Sequence, residues 1–282
     1  MVKPKTVAAR GKRALHGVLA RRGGRAYQPA RARKRAEWLR RGVAFGETWP
    51  SSGVGTQGHH DNPLRAFSNA RTEGRGIWKW DHYFDAYHRH LERFRGEEVH
   101  VLEIGIYSGG SLDMWHEYFG PRCHVYGVDR QKECLRYQDD STSVFIGDQA
   151  DRDFWRRFRG EVPKLDVVVD DGGHKPHQQA ASLEELLPHL QPGGVYVVED
   201  LHGPRNLFAA YVDGLIEALH AYRGIDDPAN PERRMVSKAA GFQSLIESIH
   251  SYPYLTVIEK RQEPLGEFVA PMRGSEWEPF LD

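Results

Sequence analysis

The sequence predicts an α/β protein with a Rossmann-like, doubly wound sheet of mainly parallel strands, which is closed by a C-terminal antiparallel hairpin. After Gly96, short runs rich in valine and isoleucine alternate with amphipathic stretches, as strands alternate with helices in a parallel sheet. The last two apolar runs are separated only by residues 251–254, which indicates the hairpin. With 282 residues, 39% of them hydrophobic, the chain can build one sizeable core behind an N-terminal helical and loop extension.

Each element is predicted from the spacing of its apolar residues. The predicted strands are Val99–Ile104, Cys123–Asp129, Ser143–Gly147, Leu165–Asp170, Gly194–Glu199, Gln243–His250 and Leu255–Lys260. The helices between them include Ser111–Phe119 and Leu183–Leu190. Upstream, aromatic residues and a leucine recur at helical spacing from Trp80 to Phe94, which predicts an amphipathic helix leading into the core domain.

Charge and composition divide the chain into three parts. Residues 1–45 form a basic arm, because positions 1–41 hold 14 lysine and arginine residues against one acid, whereas the remainder holds 25 basic and 38 acidic residues. Residues 46–95 begin as a loop rich in glycine, serine and proline, and we expect them to cover the active site. Residues 96–282 are expected to form the catalytic domain. The composition of the arm favours a solvated or oligomer-packing segment over a nucleic-acid binder, because regular aromatic interleaving is lacking.

Several features bear on compartment and partners. No apolar run approaches the roughly 18 residues that a membrane-spanning helix needs, and the arm lacks the features of a secretory signal. Cys123 and Cys134 are too few for a disulfide framework and are wrongly spaced for a zinc or redox pair. We therefore expect a cytoplasmic protein that forms homo-oligomers, without a membrane or nucleic-acid partner.

The turn after the first predicted strand is rich in glycine and leads directly into a helix. It is not the G-x-G-x-x-G loop of dinucleotide-binding proteins, because its glycines fall at positions 105, 109 and 110 and tyrosine stands at 107. It is not a P-loop either, because no Gly-Lys-Ser/Thr follows. Glycine in this turn would let a ligand approach the backbone closely.

Carboxylates lie at the ends of the first three predicted strands. Glu103 lies in the first strand, beside Gly105. Asp129 ends the second, where it could accept hydrogen bonds from both hydroxyls of a ribose. Asp148 follows the third, where it could accept from an adenine amino group. Each aspartate alone could equally be a helix cap.

In this order, the four positions resemble the S-adenosylmethionine site of class I methyltransferases, and the resemblance covers roughly residues 99–260. It implies a role for each position of the turn and the strand ends. The implied positions are Gly105 beside the methionine portion, Ser108 and Ser111 near its polar ends, Asp129 on the ribose and Asp148 near the adenine.

A second group of carboxylates follows the fourth and fifth strands, at Asp171 and at Glu199-Asp200. Because these strands should be neighbours, the three side chains should converge, and they would repel one another unless a cation lay between them. Hard oxygen ligands suit Mg²⁺, with Mn²⁺ or Ca²⁺ as substitutes, and solvated helix caps are the alternative. His174 follows across a glycine turn, and a neutral imidazole there could take a proton, although many loop histidines are only surface residues.

Taken together, these motifs resemble the metal-dependent sugar O-methyltransferases of macrolide and rhamnosyl natural products, a group that also contains proteins labelled cephalosporin hydroxylase. The matching motifs are Asp-Asp-Gly-x-His, Glu-Asp, Leu-Glu-Ile-Gly-x-x-x-Gly-Gly-Ser, Tyr-Phe-x-x-Tyr and Ser-Ile-His. The resemblance implies a class I methyltransferase domain over residues 96–282, a small glycoside or polyol as acceptor, and His174 as general base. It also implies Mg²⁺ ligation by Asp171, Glu199 and Asp200.

Other functions remain open at this point. A catechol could present two vicinal oxygens to Mg²⁺ in the same way as a sugar. Asp171 with two of His174, His177 and His202 could instead bind Fe(II) in an oxygenase, although three carboxylates favour Mg²⁺. A non-catalytic scaffold that keeps the fold and the cofactor is a third alternative.

Overall fold

A computed structural model of the protein describes residues 32–50, 61–202, 206–222, 224–225, 234–271 and 273–276. The chain divides into two compact units, residues 1–58 and 59–282. In the first unit, residues 32–46 are helical. Residues 1–31 of the expected basic arm and residues 51–60 of the glycine-rich stretch lie outside the described residues. All elements discussed below belong to the second unit.

The second unit contains an alternation of strands and helices. The strands are β1 Val99–Ile104, β2 Cys123–Asp129, β3 Thr142–Ile146, β4 Leu165–Asp170, β5 Leu190–Val198, β6 Gly224–Ile225, β7 Arg234–Lys238, β8 Ile246–Tyr252, β9 Leu255–Lys260 and β10 Glu267–Pro271. The α-helices are α1 Pro63–Ala70, α2 Tyr83–Leu91, α3 Gly110–Phe119, α4 Arg152–Glu161, α5 Pro176–Leu186, α6 Phe208–Leu219 and α7 Gly241–Leu245.

Seven strands form the central sheet, in the order β3-β2-β1-β4-β5-β9-β8. The pairs from β3 to β5 are parallel, whereas β9 is antiparallel to both β5 and β8. The predicted doubly wound sheet and its C-terminal hairpin are therefore confirmed. Strand order reverses between β1 and β4, and ligands of open α/β sheets bind beyond the carboxyl ends of the strands at such a point.

The sheet is buried on both faces, which explains why its strands are nearly continuous apolar runs. Along β5, Val195 and Val197 face a cluster that includes Trp115 of α3, whereas Tyr196 and Val198 face a second cluster that includes Trp155 of α4. Both tryptophans have 0% exposure. These two layers hold the strand ends in fixed register, so the polar residues just beyond them are held rigidly as well.

Some predicted boundaries were wrong. The run Gln243–His250 was predicted as a strand, but α7 occupies Gly241–Leu245 and β8 begins at Ile246. The Gln243 side chain causes this, because its Oε1 accepts from the Ala240 N–H and its Nε2 donates to the Leu219 carbonyl, which stabilises a helical turn.

Two further predicted elements are displaced along the chain, and one small sheet was not predicted. Helix α5 lies at Pro176–Leu186, earlier than the predicted Leu183–Leu190, because a proline at its first position begins it and a 3₁₀ turn follows from Leu187. The predicted third strand is displaced by one residue. The small antiparallel sheet of β10, β7 and β6 has no counterpart in the prediction.

Candidate active site

The turn after β1 is held by the carboxylate at the end of β2. Asp129 Oδ2 accepts hydrogen bonds from the backbone N–H groups of Ile106 at 2.9 Å and Tyr107 at 3.2 Å, and its Oδ1 accepts from Gln131 N–H at 2.8 Å. Gly105 adopts a φ of 94°, which favours glycine. Asp129 therefore fixes this turn, and its role as a ribose ligand stays a prediction.

Of the other residues predicted to bind the methyl donor, Glu103, Ser108 and Ser111 lie in or beside the same turn, whereas Asp148 follows β3. Ser111, in the first turn of α3, donates from its hydroxyl to Glu103 Oε2 at 2.7 Å, and both side chains are buried. Ser108 is half-buried in the turn itself. Asp148 is exposed after β3 and accepts from the Ala150 N–H at 2.9 Å, as expected for an aspartate that stabilises a turn.

Lys79 lies at the centre of the acidic cluster. Its Nζ donates to Asp171 Oδ2 at 2.7 Å, to Glu199 Oε1 at 2.9 Å and to Glu103 Oε1 at 3.1 Å, and its side chain is only 2% exposed. Tyr87 of α2 donates from its hydroxyl to the same Glu199 oxygen at 2.5 Å. Lys79 therefore supplies a positive charge between Asp171 and Glu199, two of the three carboxylates that the sequence predicts to converge.

The charges of this cluster depend on one another. Burial alone would lower the pKa of Lys79, but the surrounding carboxylates outweigh it and hold that pKa well above its ordinary value, so the side chain is an ammonium. Burial and the charge of Asp171 raise the pKa of Glu199 well above its usual range, and Lys79 partly opposes the shift. Burial also raises the pKa of Glu103, and the charge of Lys79 partly opposes this shift. Burial and Glu199 raise the pKa of Tyr87, which therefore stays a hydrogen-bond donor.

His174 lies beside the other face of Asp171. Its Nε2 is 3.8 Å from Asp171 Oδ1 and 3.6 Å from Asp200 Oδ2, and its Nδ1 is buried without a hydrogen-bond partner among the described residues. His174 and Asp200 both have a positive φ, of 50° and 57°. Left-handed backbone at non-glycine residues is uncommon and is concentrated at functional sites.

Residues 71–80, which we call the covering segment, cross the site. Arg71 and Arg75 both form ion pairs with Asp113 of α3, at 2.5 Å and 3.0 Å. The Gly110 N–H donates to the Gly76 carbonyl at 3.1 Å, and an added Cβ on Gly110 would lie 2.4 Å from that oxygen. These contacts hold the segment against the start of α3 and bring Lys79 to the ends of β1, β4 and β5.

An aromatic cluster lies next to Asp200 on the exposed side of the site. Trp80 donates from Nε1 to Asp200 Oδ1 at 3.1 Å, and Tyr83 donates to the same oxygen at 2.9 Å. The ring centroids of Trp80, His202 and Tyr254 lie 5.0–6.1 Å from one another. Trp80 and Tyr254 are 48% and 42% exposed, so they offer an aromatic surface beside the carboxylates.

The sequence analysis expected residues 46–95 to cover the active site, but it missed the individual roles of Lys79, Trp80 and Tyr87 and the partners of Asp170. Lys79 and Trp80 stand in a run of aromatic residues without a motif, and Tyr87 reads as part of an apolar helix face. Asp170 is fully buried and accepts from Gln149 Nε2 at 2.7 Å and from Ser182 Oγ at 2.5 Å. Its role is to fix the turn after β4, since Gln149 Oε1 also accepts from the Gly173 N–H at 2.9 Å.

The possible ligand atoms of this site suit a hard divalent cation. One ligand atom from each of Asp171, His174 and Asp200 lies within 4.8 Å of the other two. Glu199 adjoins the group, because one of its oxygens shares the Lys79 ammonium with Asp171. Two adjacent carboxylates, a third nearby and the imidazole Nε2 that faces Asp171 and Asp200 form a group that can bind a cation and accept a proton.

Comparison with known proteins agrees with this geometry. A family model described as a methyltransferase domain matches residues 102–201. The chain is 33% identical to 8-demethyl-8-alpha-L-rhamnosyl tetracenomycin-C 2'-O-methyltransferase of Streptomyces olivaceus. That alignment of 215 residues covers 68% of this chain and 53% of the relative. It is also 37% identical to mycinamicin VI 2''-O-methyltransferase of Micromonospora griseorubida. That alignment of 128 residues covers 43% of this chain and 32% of the relative.

A solved structure is similar as well. It is the MycE methyltransferase of the mycinamycin biosynthetic pathway in complex with Mg and SAH, with a TM-score of 0.56, 27% identity, and coverage of 71% of this chain and 54% of that chain. A further complex of MycE contains mycinamycin VI besides Mg and SAH. These two long alignments cover about two thirds of this chain, but they span only about half the length of each relative.

The sheet order, the strand-end carboxylates and these matches define a class I methyltransferase fold. Within that class, the chain is a relative of the O-methyltransferases named above for the tetracenomycin and mycinamycin compounds. Within the described ranges, no helix combines the length and the apolar character that a membrane span requires.

Proposed function

We propose that this protein transfers a methyl group from S-adenosylmethionine to a sugar hydroxyl of a glycosylated natural product, with Mg²⁺ as cofactor. The observation that carries the proposal is the group formed by Asp171, His174 and Asp200 just beyond the carboxyl ends of β4 and β5, next to the point where strand order reverses. The relatives reported above, which are named as O-methyltransferases of rhamnosyl and macrolide compounds, support the choice of a sugar.

The proposal gives each part of the site a task. Asp171, Glu199 and Asp200 would hold Mg²⁺, as the donor chemistry of the site allows. The turn from Gly105 to Ser111, with Glu103, would hold the methionine portion of the donor. Asp129 and Asp148 would hold its ribose and adenine.

When bound, S-adenosylmethionine supplies an activated methyl group, and Mg²⁺ lowers the pKa of an acceptor hydroxyl. His174 Nε2 would take the proton of that hydroxyl, since its position beside Asp171 and Asp200 suits a general base. The covering segment would exclude water, because Trp80 and Lys79 lie directly over the strand ends. Alignment of the acceptor oxygen with the methyl group would supply much of the remaining acceleration.

The aromatic cluster is our candidate for the acceptor-binding surface. Trp80 and Tyr254 have exposed rings, and Trp80 contacts Asp200 directly. Such rings stack against the apolar faces of sugars or polyketides. His202 Nε2 lies 3.6 Å from Asp200 Oδ1 and could contact a polar group of the acceptor.

The alternatives are less favoured. An Fe(II) oxygenase would need two imidazoles and one carboxylate, whereas the group around His174 in the described part of the chain offers one imidazole and two carboxylates. A catechol acceptor would use the same carboxylates, but the named relatives act on sugar-bearing compounds.

The test is a methyl-transfer assay with purified protein, S-adenosylmethionine and a panel of rhamnosylated polyketides, macrolide glycosides and catechols. Activity should be abolished by EDTA and restored by Mg²⁺. Asp200→Asn should lose this activity, and Asp213→Asn, at an exposed position of α6, is the matched control. Turnover of glycosides that is indifferent to chelation would remove Mg²⁺ from the proposal, and turnover of catechols alone would replace the acceptor.

A further inference from the structure

The position of Lys79 has a consequence for metal binding. Its side chain is almost completely buried, and its Nζ lies within 3.1 Å of oxygen atoms of Glu103, Asp171 and Glu199. Two of these three carboxylates belong to the metal-binding set of the proposed function. No other lysine among the described residues has three carboxylate partners in this structure.

The ammonium divides the oxygens of the site. Asp171 gives Oδ2 to Lys79, whereas its Oδ1 faces His174. Glu199 gives Oε1 to Lys79 and to the Tyr87 hydroxyl. Lys79 therefore occupies one oxygen of each of two carboxylates that the proposed function assigns to Mg²⁺.

We propose that Lys79 is a resident counter-cation of the metal site, which holds Asp171 and Glu199 in place and competes with the divalent ion for them. This inference rests on the proposed function. It adds a positioning residue that acts on the ion through the carboxylates.

The physical reason is electrostatic. Two buried carboxylates, Glu103 and Glu199, that face the partly exposed Asp171 without a cation would be destabilising, because burial removes hydration and the three charges repel one another. The ammonium removes one unit of that negative charge, so the site remains folded before a metal binds. The same positive charge opposes a second cation nearby, so it weakens metal binding relative to the carboxylates alone.

The test replaces the charge and keeps the length of the side chain. Lys79→Met should bind Mn²⁺, measured by calorimetric titration of the metal alone, on the order of ten-fold more tightly than the wild type. Its melting temperature in EDTA should fall below that of the wild type, and saturating Mn²⁺ should recover most of the loss. Lys260→Met is the matched control, since Lys260 Nζ donates to the Leu190 carbonyl and not to carboxylates. It should leave Mn²⁺ affinity unchanged.

Two further variants make the test decisive. Lys79→Arg keeps the positive charge and should keep the wild-type Mn²⁺ affinity within a few-fold. Lys79→Gln removes the charge but can still donate hydrogen bonds, and it should follow Lys79→Met if the methionine variant is hard to purify. Mn²⁺ affinity that is equal or weaker in both neutral variants would overturn the proposal, as would a neutral variant that stays unfolded in saturating Mn²⁺.

The outcomes separate this inference from the proposed function. If the wild type binds Mn²⁺ and the neutral variants bind it no better, the counter-cation role fails while the metal-dependent methyltransferase stands. If neither the wild type nor any variant binds Mn²⁺, the metal-dependent function itself fails, and the inference fails with it.

Discussion

Gly105 and Asp171 are in direct backbone contact: a Cβ atom added to Gly105 would lie 2.1 Å from the carbonyl oxygen of Asp171. Gly105 begins the turn after β1, and Asp171 begins the turn after β4. The proposed donor site and the proposed metal site are therefore built on two turns that touch, and a glycine is required where they meet.

Gly105→Ala should damage both turns at once. The added methyl group clashes with Asp171, and a φ of 94° strains any residue that has a Cβ, so we expect the free energy of unfolding to fall by about 2–4 kcal/mol. Thermal unfolding and calorimetric titration with S-adenosylhomocysteine measure the two effects. Gly160→Ala is the control, because no atom lies within 4 Å of its added Cβ and α4 should tolerate it. An unchanged melting temperature in Gly105→Ala would contradict the contact.

His174→Ala should lose turnover but not binding. Removal of a general base costs about 100-fold or more in kcat, whereas affinity for S-adenosylhomocysteine should stay near that of the wild type. His177, three residues later and exposed on α5, supplies the matched variant His177→Ala, which should keep most activity. Near-normal kcat in His174→Ala would assign the proton transfer to another group.

Asp129→Asn should weaken donor binding. The amide cannot accept all three backbone hydrogen bonds that the carboxylate accepts, so the turn after β1 loosens and the ribose loses a charged acceptor. We expect affinity for S-adenosylhomocysteine to fall by about 10-fold or more, since hydrogen bonds to charged groups contribute roughly 1.5–3 kcal/mol. Asp140→Asn, at an exposed loop position before β3, should bind like the wild type. Equal affinities in the two variants would exclude Asp129 from the donor site.

Glu259 should make stability depend on acid pH. Hydrogen bonds from His90, Arg93 and Ser248 lower the pKa of this half-buried carboxyl below its ordinary value, against the effect of burial. A lowered pKa in the folded state stabilises the protein fully above the unfolded pKa of about 4.3, and the contribution is lost as the pH falls further.

Glu259→Gln should therefore have a lower melting temperature than the wild type at pH 7, and the difference should shrink below about pH 4.5. Glu263→Gln, at an exposed glutamate without an ion pair in the described part of the chain, should show no such difference. A gap between Glu259→Gln and the wild type that stays constant from pH 7 down to about pH 3 would show that the charge of Glu259 is not responsible.

Much of the site could be predicted because of where it lies in the fold. Alternating apolar runs indicate parallel strands, and the carboxyl ends of parallel strands meet at one edge, so polar residues after successive strands must gather there. Asp129, Asp171, Glu199 and Asp200 were predicted as site residues in this way. The boundaries were less predictable where a side chain such as that of Gln243 decides between helix and strand.

The sequence by itself determined the order of strands and helices and which carboxylates lie at the strand ends, because both follow from local periodicity. Only the tertiary structure decided what lies among those carboxylates. Lys79 is separated by 92 residues from Asp171 and by 120 from Glu199, and it reaches them because two arginine–Asp113 ion pairs and the Gly76 carbonyl fix the covering segment on α3. Such long-range placement leaves no periodic signal along the chain, since it depends on which surfaces meet when the chain folds.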